Sequence, residues 1–193
     1  MIITTLESQR DILISIVQLH NNGQNFHADL TYSSGAFWKG LIKPLIRMDI
    51  EHTPDLTMVG DVRHLPVRSE CLQSVVFDPP FIHAPGVDSI MGARFGGYNS
   101  QRELHRLYLA ASEEITRVLA PEGLLVWKCQ DIVESGKQVW NHVLIYNQLC
   151  PSNFVAEDLF ILVRKNRLVG HNHFNQYHAR KTHSYFWVFR KCI

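Results

Sequence analysis

Four short apolar runs in the first 78 residues each lead into an aspartate, and this pattern constrains the fold more than any other feature of the chain. They are residues 26–31 around Asp29, 45–49 closing on Asp49, 56–61 closing on Asp61 and 73–78 closing on Asp78. Apolar runs of this length, bounded by turn-forming residues, read as buried strands. Other segments carry a helical period. Residues 8–19 place Ile12, Leu13, Ile16, Val17 and Leu19 on one stripe that ends at Asn21-Asn22-Gly23. Residues 101–119 place Leu104, Leu107, Tyr108, Ala111, Ile115 and Val118 on one side of a long amphipathic helix. Pro121-Glu122-Gly123 then turns the chain into a strand over 124–128, and a further helix is expected over 137–149. Strands over 159–164 and 185–190 follow.

Strands alternating with helices predict an α/β fold, a doubly wound and mostly parallel sheet with helices on both faces. Ligands of such sheets collect beyond the carboxyl ends of the strands, where the strand order reverses. Asp29, Asp49, Asp61 and Asp78 all fall at or near those ends. Like charges gathered there stabilise a fold poorly, but they suit a ligand rich in hydroxyl and amino groups.

At 193 residues, 46% apolar and 19% charged, the chain fits one globular domain with no internal repeat. No apolar run approaches the roughly 18 residues of a membrane span. The segment from Met1 to Glu7 lacks the basic start and apolar stretch of a secretory signal. Cys71, Cys129, Cys150 and Cys192 are scattered without a CxxC pair, as expected of reduced thiols in a cytoplasmic protein. His171, His173 and His178 have no nearby cysteine or acid to complete a ligand set, so no metal is expected. Trp38, Trp127, Trp140 and Trp187 are expected in core or interface positions, and Lys128 and Asp131, at the end of a strand, could touch substrate but are assigned no role.

The net charge of +1 conceals an uneven distribution. No acid follows Asp158, whereas Arg164, Lys165, Arg167, Arg180, Lys181, Arg190 and Lys191 do; the residues up to Asp158 carry −6. A basic segment without acids suits a phosphate backbone, which makes nucleic acid the expected partner.

The chemistry centres on Asp78-Pro79-Pro80-Phe81, directly after Val75-Val76-Phe77. The lone pair of an exocyclic amine is delocalised into its ring. To make it available for methylation, an enzyme must orient the NH2 group with acceptors. A carboxylate and a backbone carbonyl do this together, proline fixes the turn and removes a competing N–H, and an aromatic ring holds the base by stacking. The Gly-rich stretch 82–99, with Gly86, Gly92, Gly96 and Gly97, reads as a loop closing over substrate, where Arg94 is placed to meet phosphate.

The tetrapeptide resembles the D-P-P-[YFW] motif of class I S-adenosylmethionine-dependent amino-methyltransferases of DNA and RNA. Asp29-Leu30-Thr31-Tyr32-Ser33-Ser34-Gly35-Ala36 is similar to that family's cofactor loop, D-P-F-x-G-S-G-T, with Ser33 in place of its first loop glycine and Leu30 in place of its proline. Asp49 matches the acid that meets the ribose hydroxyls, and Gly60-Asp61-Val62-Arg63-His64-Leu65-Pro66 matches the segment whose acid meets the adenine amino group. Residues 128–131, 135–138, 178–181 and 183–186 look like stretches of stand-alone phage and bacterial DNA methylases.

The resemblance implies a Rossmann-like, seven-stranded class I methyltransferase fold without a separate target-recognition domain. It implies S-adenosyl-L-methionine held by Asp29, Thr31, Ser33, Ser34, Gly35, Asp49, Asp61 and Val62, with catalysis at Asp78, Pro79, Pro80 and Phe81. The form of the motif points first to adenine N6 in DNA, acting on a flipped base. An RNA amino-methyltransferase and a catalytically silent nucleic-acid-binding subunit are the alternatives.

Overall fold

The computed structural model describes residues 1–82, 98, 100–150, 152–164, 177–179 and 181–193. Its first elements are β1 (Thr5–Leu6) and α1 (Gln9–His20), the helix opening where the Ser8 side chain accepts a hydrogen bond from the Asp11 amide at 3.3 Å. Strands β2 (Ala28–Asp29), β3 (Ile46–Asp49), β4 (Met58–Val59) and β5 (Leu72–Phe77) follow, with one 3₁₀ turn, Ala36–Trp38, after β2. Helix α2 (Gln101–Val118) starts at Ser100, whose side chain accepts from the amide of Glu103, an acid well placed in the first turn. Strand β6 (Leu119–Cys129), the hairpin β7 (Ile132–Glu134) and β8 (Lys137–Val139), helix α3 (Asn141–Leu149) and strands β9 (Phe154–Val163) and β10 (His183–Lys191) complete the order.

The main sheet runs β4-β3-β2-β5-β6-β10-β9-β1. Strands β4 to β6 in that order are mutually parallel, whereas β10 pairs antiparallel with both β6 and β9. The chain lays β2, β3 and β4 outward to one edge and returns to place β5 on the other side of β2. Strand order therefore reverses between β2 and β5. One core layer packs α1 and the 3₁₀ turn against the sheet through Ile12, Leu13, Ile16, Trp38, Val76 and Phe186. The other packs α2 and α3 through Leu104, Tyr108, Ile115, Ile145, Phe77 and Trp127.

Two expectations change. The sheet has eight strands instead of seven, because Thr5–Leu6 adds to its edge opposite Ile161 and Leu162 of β9; two residues are too few to show a period. The helix expected from residue 137 begins at Asn141, because Ser135 (φ 47°) and Gly136 (φ 73°) form a left-handed two-residue turn that folds the preceding segment into the β7–β8 hairpin. At Gly123 a Cβ would lie 2.8 Å from the Ala120 carbonyl oxygen, so only glycine fits the register shift where β6 meets β5. Among the described residues no helix is long and apolar enough to cross a membrane.

Helix α2 supplies a direct test of this packing. Ile115 is fully buried, and Ile115→Ala is expected to cost about 2–5 kcal/mol in urea unfolding. Leu109, which is 52% exposed on the same helix, should change stability by under about 0.5 kcal/mol when replaced by alanine. Equal losses at the two positions would contradict the assignment of the buried face.

Candidate active site

The carboxyl ends of β2 and β5 flank the point where strand order reverses, and a chain of hydrogen bonds joins them. Asp29, only 1% exposed, accepts from the Thr31 amide at 2.8 Å, from the Thr31 hydroxyl at 3.3 Å and from the Trp38 indole N–H at 2.5 Å. The same Thr31 hydroxyl oxygen accepts from the Asp78 amide at 2.8 Å. Burial raises the pKa of Asp29 to about 7, against the Trp38 and Thr31 donors that lower it; the nearby Asp78 charge raises it further. Trp38 is thus a core residue, as expected, whose N–H also satisfies the buried acid.

Beyond Asp29 the chain stays wedged between its neighbours. The Leu30 amide donates to the Val76 carbonyl of β5, and the Tyr32 amide to the Met48 carbonyl of β3. Ser33 adopts φ 51°, the left-handed conformation for which glycine is favoured. It is held there by its amide donating to Asp49 Oδ2 at 2.8 Å and by its carbonyl accepting from Thr53 at 2.9 Å. Gly35 (φ 73°) passes so near Tyr32 that a Cβ would sit 2.6 Å from the tyrosine hydroxyl oxygen. The Tyr32 hydroxyl in turn bonds Asp55, which also accepts from Lys43 at 2.6 Å.

Asp49 also accepts from the Glu51 amide at 3.2 Å. Asp61 faces Arg63, whose guanidinium donates to both carboxylate oxygens and holds the carboxyl below its usual range. The segment after Asp61 is pinned to α2: Glu114 accepts from the Leu65 amide at 2.6 Å, and Arg117 donates to the carbonyls of Leu65 and Val67. Val62, in this stretch, is buried.

The tetrapeptide begins one residue past β5. Asp78 Oδ2 accepts from Lys128 Nζ at 2.8 Å, whereas Oδ1 is buried with no hydrogen-bond partner among the described residues. Burial raises the Asp78 pKa, opposed by the charge and hydrogen bond of Lys128 and by Arg164. The Tyr108 hydroxyl of α2 donates to the Pro80 carbonyl at 2.6 Å and so anchors the far end of the turn. Phe81 lies with its ring centroid 5.8 Å from Lys128 Nζ.

Lys128 is the functional candidate that sequence reasoning passed over. Its side chain is 7% exposed, at the end of the apolar run Leu124-Leu125-Val126-Trp127. A lysine ending a buried strand needs a counter-charge, and that was the available signal. Asp131, 1% exposed, caps α3 by accepting from the His142 amide and ring Nδ1 at 3.2 and 2.8 Å. The four acids expected to need a ligand each have an internal partner.

The glycines of 82–99, Arg94, His171, His173 and Arg180 lie outside the described residues, as do Lys165 and Arg167 of the basic segment. Among the described residues no group of three histidine, cysteine, aspartate or glutamate side chains is arranged to hold a metal ion.

The sequence matches no protein-family profile and no curated protein. The fold matches solved structures over almost its whole length. A candidate sarcosine dimethylglycine methyltransferase from Galdieria sulphuraria superposes with TM-score 0.58 at 14% identity, covering 93% of this chain and 84% of that one. The PH0226 protein of Pyrococcus horikoshii OT3 superposes with TM-score 0.54 at 14% identity, covering 94% and 89%. The chain has the class I methyltransferase fold. The PvuII DNA methyltransferase (cytosine-N4-specific) shares it at TM-score 0.50 and 14% identity, over 68% of this chain and 47% of that one.

Within this methyltransferase fold, Asp29 contributes a pH dependence of its own. A carboxyl whose pKa is raised from 3.8 to about 7 on folding adds stability that is fully present below pH 3.8 and is lost as pH rises through about 7. The unfolding free energy of the wild type should therefore fall over that window relative to Asp29→Asn, which cannot ionise. Urea titrations at several pH values measure the difference; parallel curves would show that Asp29 does not titrate there.

Proposed function

We propose that this chain is an S-adenosylmethionine-dependent methyltransferase acting on an exocyclic amino group of a nucleobase, adenine N6 in DNA. The observation that carries this reading is Asp78 at the reversal of strand order: one carboxylate oxygen is held by Lys128, and the other is buried and unpartnered among the described residues. The class I methyltransferase fold supports the cofactor, and the PvuII DNA methyltransferase is an amino-methylating protein of the same fold.

The residues present fit the cofactor. Asp49, at the end of β3, is partly exposed and keeps lone pairs for two ribose hydroxyls beyond the amides of Ser33 and Glu51. Asp61 and Val62 would meet the adenine edge once the Arg63 guanidinium, 48% exposed on its side chain, moves off Asp61. Asp29, Thr31, Ser33, Ser34 and Gly35 would carry the backbone turn against the methionine end. When bound, the cofactor supplies a methyl group on a positively charged sulfur.

The chain's own residues then act on the acceptor. Asp78 Oδ1 accepts a hydrogen bond from the NH2 group and draws the nitrogen lone pair out of the ring. The Pro79 carbonyl provides the second acceptor, with the turn fixed by Tyr108 on Pro80. Phe81 stacks on the base, which reaches the pocket by flipping. The nitrogen would take the methyl group that the cofactor supplies, and the proton that the nitrogen sheds would pass toward Asp78 Oδ1. Nucleic acid is the proposed partner, its phosphates met by the acid-free segment that includes Lys181, whose Nζ lies 4.6 Å from the centroid of the half-exposed Trp140 ring.

Two substitutions separate these roles. Asp78→Asn should lower turnover about 10²–10³-fold with cofactor affinity nearly unchanged, since Asp78 acts mainly in the transition state. Asp49→Ala should weaken cofactor binding in calorimetry by about 1–3 kcal/mol. Wild-type turnover in Asp78→Asn would reduce the tetrapeptide to a turn, and unchanged affinity in Asp49→Ala would remove the ribose assignment.

A further inference from the structure

We propose that Lys128 is the positioning residue of Asp78, holding Oδ2 so that Oδ1 alone is presented to the acceptor amine; this rests on the proposed amine chemistry. Lys128 enters the site from β6, where it pairs in register with Phe186 of β10. Its ammonium sits 2.8 Å from Asp78 Oδ2 and 5.1, 5.8 and 5.7 Å from the ring centroids of Phe37, Phe81 and Phe186. These rings come from the 3₁₀ turn of the cofactor loop, the tetrapeptide and the sheet. One side chain therefore joins the loop that would carry the methyl donor to the residues that would carry its acceptor. The ring faces fix the ammonium without competing for Oδ2, since they are attractive to a cation but are not carboxylates.

Among the described residues the second carboxylate oxygen of Asp78, Oδ1, is buried and has no partner, an arrangement that suits a donor arriving with substrate. Lys128 also governs whether Oδ1 can accept at all. Asp78 is faced by Asp29 from β2, Tyr108 from α2, Cys129 and Lys128 from β6 and Arg164 beyond β9. Burial favours the protonated acid, and Lys128 is the larger of the two cationic influences that oppose it. A protonated Asp78 would offer its own O–H in place of an acceptor.

The test compares the wild type with Lys128→Met, which keeps the length of the side chain, and with Lys128→Arg, which keeps its charge. Carboxylate carbon-13 NMR, with the Asp78 signal assigned by its loss in Asp78→Asn, follows the titration without cofactor or substrate. The midpoint for Asp78 should rise by a pH unit or more in Lys128→Met and stay near the wild-type value in Lys128→Arg. In methyl transfer, kcat of Lys128→Met should fall about 10–100-fold at pH 7, with the acid limb of its pH profile moved upward by the same interval and cofactor affinity within threefold. A folded Lys128→Met protein in which Asp78 titrates as in the wild type would overturn the proposal, as would an unmoved acid limb. If Lys128→Met does not fold, Lys128→Gln decides by the same titration. Absence of methyl transfer in the wild type would defeat the amine chemistry, while the titration would still decide whether Lys128 controls Asp78.

Discussion

The Thr31 hydroxyl stands between two buried acids, and the architecture of the site depends on that position. It donates to Asp29 and accepts from the Asp78 amide, tying the end of β2 to the start of the tetrapeptide. The tie spans the two strands between which strand order reverses, so the cleft that the sheet opens there has both walls fixed to one residue. Trp38 extends the chain into the 3₁₀ turn through Asp29, and Lys128 extends it into β6 through Asp78. Carboxylates that would otherwise repel one another across the cleft are thus absorbed into a single network of donors. A low local dielectric strengthens such a network and makes any atom left out of it conspicuous. Among the described residues, Asp78 Oδ1 is the carboxylate oxygen of this network that has no partner.

Hydrogen bonds also explain how a serine can occupy the left-handed position of the loop after β2. Glycine would adopt φ 51° without a steric penalty; Ser33 is held there by Asp49 on one side and Thr53 on the other. The loop's path is set by acids at the strand ends, so the departure from a glycine-rich sequence leaves its turn intact. A turn held by a carboxylate is also one that a ligand of that carboxylate can influence.

Much of this was legible in the sequence because it is written in period and punctuation. Helix α2 follows from the spacing of Leu104, Leu107, Ala111, Ile115 and Val118 together with Ser100 and Glu103 at its start, and β5 follows from the apolar run before Asp78. Edge strand β1 was not legible, since two residues have no period. The β7–β8 hairpin was obscured because its turn depends on the backbone of Ser135 and Gly136, while its strands are three residues each. The tetrapeptide and the acids were found as separate motifs. What no motif conveyed was their pairing: Asp29 with Trp38, Asp61 with Arg63, Asp78 with Lys128. Pairing across strands is set by register, which brings residues fifty positions apart, such as Asp78 and Lys128, within 2.8 Å.

The proposed role of this pairing is to prepare a carboxylate oxygen for a nucleobase amine. The most direct measurement is nucleoside mass spectrometry after incubation of the protein with S-adenosylmethionine and, separately, duplex DNA, single-stranded DNA and RNA. N6-methyldeoxyadenosine in a DNA arm is the predicted result, and N6-methyladenosine in the RNA arm alone would change the polymer while preserving the chemistry. No methylated nucleoside in any arm, from a protein that calorimetry shows to bind the cofactor, would contradict the claim.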